Sequence, residues 1–207
     1  MRTLRYIRTG ACYHITARAN HKERLLASPL AKDLFMETLA MMRRKHECLI
    51  SDFVVMNNHI HLIMEPRGDS TLSGCMKWLL GVYSMSYNRV FKTWGTVWGG
   101  RFYSRPIDGL GDMGNTIAYI DRNPVRAFLI DEPEDWEWGG LHLHRVGSDE
   151  ILGPRPPWLT LVAPAHSRLL LAEIVQSDLT SPEGQTPTPG RYIARRRGAG
   201  SDGFLFT

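Results

Sequence analysis

Two apolar runs separated by a two-residue turn constrain the fold of this chain more than any other feature of its sequence. The runs extend from Leu49 to Met56 and from His59 to Met64, with Asn57-Asn58 between them. An asparagine pair is a tight-turn signal between strands, so the pattern predicts an antiparallel hairpin. The chain is therefore expected to contain at least one antiparallel sheet.

The segments around this hairpin alternate between strand and helix patterns. Residues that favour strands precede it from Ala11 to Ala19, and apolar residues at helical spacing follow them from Leu30 to His46. After the hairpin we predict a long helix capped by Ser70-Thr71 and ending near Phe91, a strand from Phe102 to Ile107, and a short helix from Asp112 to Asn123-Pro124. The order β-α-β-β-α-β-α is close to the split βαβ layout. It predicts an α+β, ferredoxin-like antiparallel sheet with packed helices.

The amino-acid composition of the chain changes after about residue 150. Prolines interrupt the sequence repeatedly, residues 169–175 are the only stretch that could form a helix, and Arg195-Arg196-Arg197 form a basic cluster near the end. We predict a catalytic domain over residues 1–150. Residues 151–207 are expected to form a proline-rich extension with a basic, mobile end.

Composition narrows the cellular setting and the partner only slightly. The net charge of +4 and the pI of about 9.1 favour a polyanionic partner. No apolar run reaches the roughly 18 residues that a membrane span needs, and the basic N-terminus lacks the apolar segment of a secretion signal. Three cysteines, none in a CxxC pair, argue against a disulfide framework or a thiolate zinc site. We therefore expect a cytoplasmic protein without a membrane partner.

The second run of the hairpin contains a possible metal site. His59 and His61 are two residues apart in a strand, so both imidazoles are expected on one face of the sheet. Two imidazoles on a rigid strand form half of a divalent-cation site. The motif is weak alone, because His142 and His144 repeat the spacing in a segment without a strand pattern. A third alternating histidine, which a HIT-type nucleotide hydrolase would need, is missing.

A tyrosine is the candidate nucleophile. A phenol can attack a phosphodiester and leave a phosphotyrosine, and a bound metal would stabilise the developing charge. A helical tyrosine that also positions a metal ligand should have an amide or carboxylate one turn later. Among the seven tyrosines only Tyr119 meets this condition, because Asn123 follows it by four residues. Tyr83 and Tyr87 are interpreted as core residues of the long helix.

Four separate strings, in order and with compatible spacing, resemble the REP-associated tyrosine transposases, which belong to the single-tyrosine HUH transposases. The resemblance covers roughly the first 150 residues. The strings are Tyr13-His-Ile-Thr-Ala-Arg-Ala-Asn20, Phe53-Val-Val-Met-Asn-Asn-His-Ile-His-Leu-Ile63, Trp98-Gly-Gly-Arg-Phe102 and Tyr119-Ile-Asp-Arg-Asn-Pro-Val-Arg-Ala127. Two departures are Asn57, where members usually have proline, and Trp138-Gly139-Gly140, where a Trp-Ser-Ser string is common.

The resemblance implies a ferredoxin-like domain that acts on single-stranded DNA, often beside a hairpin. His59 and His61 would bind Mg²⁺ or Mn²⁺, and Asn123 would add an oxygen ligand. Tyr119 would form a 5′-phosphotyrosine and release a 3′-hydroxyl. Because transesterification conserves the bond energy, no nucleotide cofactor is needed. Relatives act either as monomers or as homodimers, and both states remain open.

Side chains near strand ends and the catalytic helix are candidates for holding DNA. A basic groove with aromatic platforms is the usual arrangement for single strands. The tryptophans Trp94 and Trp98 are interpreted instead as sealing a loop against the core. Two alternatives to the transposase remain: a catalytically inactive DNA-hairpin binder on the same scaffold, and a replication-initiator or relaxase HUH endonuclease. The candidate DNA contacts are Arg18, Arg101, Phe102, Arg105 and Arg126.

Overall fold

The computed structural model describes residues 10–20 and 23–153. The predicted extension lies outside the described residues from Pro154 onward, including the possible helix at 169–175 and the cluster Arg195–Arg197. Ile151 and Leu152 are still buried in the main core, and the Gly153 amide donates to the carbonyl of Ile50 at 2.9 Å. Packing against the sheet therefore continues past the predicted boundary at residue 150.

A four-stranded antiparallel sheet forms the centre of the fold. Its strands are β1 (Tyr13–Arg18), β2 (Cys48–Val55), β3 (His59–Pro66) and β4 (Tyr103–Pro106), and they lie in the order β2-β3-β1-β4. The predicted hairpin is confirmed, because β2 and β3 pair in antiparallel register across the Asn57-Asn58 turn. The predicted α+β class with packed helices is confirmed as well.

Two long helices cover one face of this sheet. Helix α1 (Pro29–Lys45) is capped by Ser28, whose hydroxyl accepts from the Ala31 amide. Helix α2 (Leu72–Phe91) is capped by Thr71, whose hydroxyl accepts from the Gly74 amide. These side-chain caps satisfy amides that have no partner within the helix. Tyr83 is fully buried between the helices and donates its hydroxyl to the Ala31 carbonyl at 3.1 Å. The interpretation of Tyr83 as a core residue is confirmed.

The other face of the sheet is covered by a shorter helix, α3 (Gly109–Asp121), which packs on β2 and β3. One further helical turn, α4 (Asn123–Arg126), follows directly, and α5 (Gly140–Val146) lies against β2. Ile63, Val54 and Ile120 form the small core under α3, whereas Ile60 and Leu62 enter the core under α1 and α2. Because side chains alternate between the two faces of the sheet along β3, neighbouring residues of this strand enter different cores.

The predicted end of α3 differs in detail from the structure. Proline was expected to stop the helix at Asn123-Pro124, and α3 does end at Asp121 with Arg122 as its cap. A new turn begins at Asn123, with Pro124 in its first positions. Proline is accepted there because an amide at the start of a helix has no partner in any case.

Among the helices of the described residues, none has the length and apolar character that a membrane span requires.

Candidate functional site

The paired histidines of β3 lie on the face of the sheet that α3 covers. His59 is the first residue of β3 and pairs with Arg18, the last residue of β1, while His61 pairs with Thr16. The two ring centroids are 5.0 Å apart and nearly perpendicular. His61 is only 5% exposed. Strand alternation therefore brings both imidazoles to one side of the sheet, as the spacing predicted.

Both histidines have their Nδ1 atoms within hydrogen-bonding distance of neighbouring side chains. His59 Nδ1 lies 2.7 Å from Asn58 Oδ1. His61 Nδ1 lies 3.0 Å from His14 Nε2 and 3.1 Å from Thr16 Oγ1. These Nδ1 contacts leave Nε2 of each ring as the nitrogen that a cation would bind.

The electrostatic surroundings keep these rings neutral. Burial lowers the pKa of His59 to about 4, with the positive charge of Arg18 acting in the same direction and a hydrogen bond to the Asn123 side chain opposing it. Burial, and then the neighbouring His59 and His14 rings, hold the pKa of His61 well below its ordinary value of 6.5. A neutral imidazole retains the lone pair that a metal ligand requires.

Tyr119 reaches this histidine pair from α3. Its ring centroid lies 5.4 Å from that of His61 in an edge-on arrangement, and its side chain is 38% exposed. The guanidinium of Arg126 lies 5.3 Å from the centre of the tyrosine ring. The phenol is thus both close to the histidines and open to solvent, as a nucleophile toward a large substrate must be.

Asn123 joins the same cluster from α4. Its Nδ2 donates to the Tyr119 carbonyl at 2.8 Å, across the junction between the two helices. The same side chain hydrogen-bonds with His59. Residues predicted to act together therefore lie together: His59, His61, Tyr119 and Asn123.

The residues present fit a divalent cation with mixed nitrogen and oxygen donors. The Nδ1 contacts leave Nε2 of each imidazole as the nitrogen that would bind a cation, and the Asn123 side chain, which hydrogen-bonds with His59, would supply an oxygen. Within residues 10–20 and 23–153, no group of three or more His, Cys, Asp or Glu side chains could hold a metal ion. Any cation at this site would thus depend on the amide oxygen and on further ligands such as water or phosphate.

The predicted DNA-contacting arginines lie in different surroundings. Arg18 and Arg101 are exposed, and Arg126 lies over the Tyr119 ring. Arg105 instead forms an ion pair with Asp112 at 2.8 Å. DNA contact by these arginines stays a prediction, and Arg105 has a structural role that the sequence did not indicate.

Two aromatic predictions are wrong. Phe102 was expected to stack on bases, but its ring lies in the main core and is 8% exposed, because it packs where the chain enters β4. Trp94 was expected to seal a loop, but it is 93% exposed. Trp98 does pack as predicted, with its indole nitrogen donating to the Leu80 carbonyl at 3.0 Å.

The second histidine pair, His142 and His144, lies on α5 rather than on a strand.

His14 is the site residue that the sequence analysis missed. Its ring stacks on His61 with centroids 5.1 Å apart, and it approaches Tyr119 edge-on at 6.0 Å. Burial lowers the pKa of His14 to about 4, with the nearby Arg105 acting in the same direction. The alternation of His14, Thr16 and Arg18 along β1 was the available signal, since residues two apart share a face.

Comparison with known proteins gives four results. A family model described as "Transposase IS200 like" matches residues 8–123. A structure of the REP-associated tyrosine transposase bound to a REP hairpin matches with a TM-score of 0.59 at 20% identity, covering 74% of this chain and 92% of that one. A putative transposase from Deinococcus radiodurans matches with a TM-score of 0.42 at 15% identity, covering 62% of this chain and 92% of that one. No curated protein matches significantly.

Proposed function

The chain belongs to the IS200-like transposase family, and from that premise we propose that it cleaves and rejoins single-stranded DNA through a covalent bond to Tyr119. The observation that carries this proposal is the cluster of one partly exposed tyrosine and two histidines on facing elements. A structural role alone would not require an exposed phenol beside one buried and one half-buried imidazole. The reaction class is transesterification at a phosphodiester.

The chemical step has a simple balance. The Tyr119 oxygen forms a bond to the scissile phosphorus, and the bond from phosphorus to the 3′-oxygen breaks. The phenol loses its proton to solvent, and the leaving oxygen gains one to become a 3′-hydroxyl. The 5′-phosphate stays on the tyrosine until another 3′-hydroxyl attacks it and restores the DNA. No bond energy is lost, so no nucleotide cofactor takes part.

His59, His61 and Asn123 are proposed to hold Mg²⁺ or Mn²⁺, which when bound would polarise the scissile phosphate and stabilise charge on the leaving oxygen. The protein's own contribution is positional. The sheet fixes both imidazoles, and the Asn123 amide donates to the Tyr119 carbonyl at 2.8 Å, which ties the nucleophile's backbone to the third ligand. A shift in α3 would therefore move the nucleophile and this ligand together.

The proposed partner is single-stranded DNA beside a hairpin. The structural relative with a TM-score of 0.59 is described as bound to a REP hairpin. Three arginines supply positive charge for phosphates around the cluster. Arg18 and Arg101 are exposed, and the guanidinium of Arg126 lies over the Tyr119 ring. We also propose a cytoplasmic location, in keeping with the cysteine usage.

Adduct formation on labelled oligonucleotides tests the proposal. Single strands taken from the hairpin-forming DNA that flanks the gene should yield a covalent protein–DNA adduct when labelled at the 3′ end, and only a shortened free strand when labelled at the 5′ end. Tyr119→Phe should abolish the adduct and leave binding nearly unchanged, since only the hydroxyl is lost. Tyr103→Phe is the matched control, because Tyr103 is an exposed tyrosine at 65% on the neighbouring strand β4.

Metal dependence belongs to the same experiment. A chelator or His59→Ala should stop cleavage, and Mn²⁺ or Mg²⁺ but not Zn²⁺ should restore activity to the chelated protein. An adduct that persists in Tyr119→Phe would place the nucleophile elsewhere. Full cleavage in chelator would remove the metal from the mechanism.

A further inference from the structure

A third histidine, His14, lies against the proposed metal ligand His61. His14 Nε2 is 3.0 Å from His61 Nδ1, and the two rings are stacked with an angle of 29° between their planes. His14 belongs to β1, whose register sets it opposite Ile63, so its ring reaches His61 diagonally across the strand pair. Thr16 lies directly opposite His61 and adds a hydroxyl at 3.1 Å from the same nitrogen.

The contact between the two ring nitrogens has a chemical consequence. Two imidazole nitrogens at hydrogen-bonding distance need one proton between them, so one ring donates and the other accepts. If His61 donates from Nδ1, its Nε2 carries the lone pair and can bind a cation. If His14 donates instead, a neutral His61 carries its proton on Nε2 and cannot bind a cation there.

His59 indicates which arrangement the site uses. Its Nδ1 lies 2.7 Å from Asn58 Oδ1, an amide oxygen that can only accept. His59 is therefore the Nδ1–H tautomer, with the lone pair on Nε2. Metal-binding histidines commonly donate their second ring N–H to a neighbouring acceptor, which fixes both the tautomer and the ring orientation.

We propose that His14 is the positioning residue for His61, accepting the Nδ1 proton and stacking on the ring so that Nε2 is directed to the cation. This inference rests on the proposed function, since it assumes that His61 is a metal ligand. Thr16 is the second acceptor at the same nitrogen. His14 does not bind the metal itself, because the nitrogen that faces His61 is the one occupied by this hydrogen bond.

Mn²⁺ binding to the full chain tests the inference without relying on cleavage. The free Mn²⁺ signal in electron paramagnetic resonance gives the dissociation constant for the unaltered protein, His14→Leu and His14→Gln. We expect His14→Leu to weaken Mn²⁺ binding by about 10–100-fold, the usual cost of losing such a partner. His14→Gln should recover most of the affinity, because its side-chain oxygen can accept near the position of Nε2. Thermal unfolding of each variant checks that it is folded.

A double substitution tests whether His14 affects Mn²⁺ affinity through His61. In a His61→Ala background, His14→Leu should cause no further loss of Mn²⁺ affinity, because the residue through which it acts has gone. Pulsed resonance should detect two directly bound imidazole nitrogens on Mn²⁺ in the unaltered protein. Three bound nitrogens would make His14 a ligand and overturn the positioning role.

The remaining outcomes separate this inference from the proposed function. If His59→Ala abolishes Mn²⁺ binding while His14→Leu leaves it unchanged, the metal site stands and the role of His14 is wrong. A loss in His14→Leu that Gln does not recover also overturns it. If the unaltered protein does not bind Mn²⁺, the metal role and this inference both fall.

Discussion

At the scale of single residues, a partly buried ion pair joins β4 to α3, the helix that contains Tyr119. Arg105 on β4 contacts both carboxylate oxygens of Asp112, at 2.8 and 3.0 Å, and its other terminal nitrogen donates to the Thr116 hydroxyl at 2.8 Å. Asp112 and Thr116 both belong to α3. Because both terminal nitrogens of Arg105 form charge-assisted hydrogen bonds to side chains of α3, Arg105 holds the helix that contains Tyr119.

This contact gives a stability prediction with a defined pH dependence. The hydrogen bond from Arg105 lowers the pKa of Asp112 below its ordinary value of 3.8. A carboxyl with a lowered pKa in the folded state stabilises the fold above its ordinary pKa, and this contribution is lost as the pH falls below that value. Asp112→Asn should cost up to about 1 kcal/mol near neutral pH, since the pair is partly exposed. The difference from the unaltered protein in urea unfolding should shrink below pH 3.8.

Glu150→Gln is the matched control, because Glu150 pairs with Arg44 at the same distance of 2.8 Å but with both side chains more than half exposed. It should change the free energy of unfolding little at any pH. A pH-independent loss in Asp112→Asn would mean that the carboxyl stabilises α3 by something other than its charge.

At the scale of elements, α3 carries the proposed nucleophile but has weak intrinsic helix propensity. Gly109, Gly111 and Gly114 all lie in its first half. Glycine loses more backbone entropy than alanine when a helix forms. An added Cβ at Gly111 or Gly114 would meet nothing within 4 Å, whereas Gly109 has a φ of +80° that other residues rarely adopt.

Alanine substitutions in this helix should therefore have opposite signs. Gly111→Ala and Gly114→Ala should each stabilise the protein by roughly 0.5–1 kcal/mol in denaturant unfolding. Gly109→Ala should destabilise it, because the left-handed backbone would be strained. Destabilisation by Gly114→Ala would mean that the helix is not formed at this position in solution.

The elements also show which parts of the fold and site the sequence could predict. The hairpin, the shared face of His59 and His61, and the pairing of Tyr119 with Asn123 follow from local periodicity, and all appear in the structure. The contact of His14 with His61 could not be predicted in the same way. This contact joins residues 47 apart through the register of two strands, and local periodicity does not determine that register.

Two further differences between prediction and structure have other causes. The turn at α4 escaped prediction because proline ends one helix and starts another equally well, according to its position. Trp94 and Trp98 stand in one glycine-containing loop with similar composition, yet one is exposed and the other hydrogen-bonds to Leu80. Only the tertiary packing against α1 and α2 distinguishes them.

At the scale of the whole molecule, one chain brings all four proposed site residues together. Tyr119 and His61 of the same polypeptide lie with ring centroids 5.4 Å apart, so the site can form without a second copy. Mixing Tyr119→Phe protein with His61→Ala protein should then leave cleavage absent, because neither chain holds a complete site. Adduct formation in the mixture would show that the tyrosine of one copy serves the histidines of another. The unaltered protein at equal total concentration is the positive control.

The central claim is that Tyr119 carries the DNA, and mass spectrometry of the trapped adduct tests it most directly. Trypsin should release the peptide from Phe102 to Arg122, since the bond between Arg105 and Pro106 resists cleavage, and this peptide contains both Tyr103 and Tyr119. After nuclease trimming, fragmentation should locate a 5′-linked nucleotide phosphate on Tyr119 and none on Tyr103. A nucleotide on Tyr103 or on another peptide, or one attached through its 3′-phosphate, would contradict the proposed mechanism.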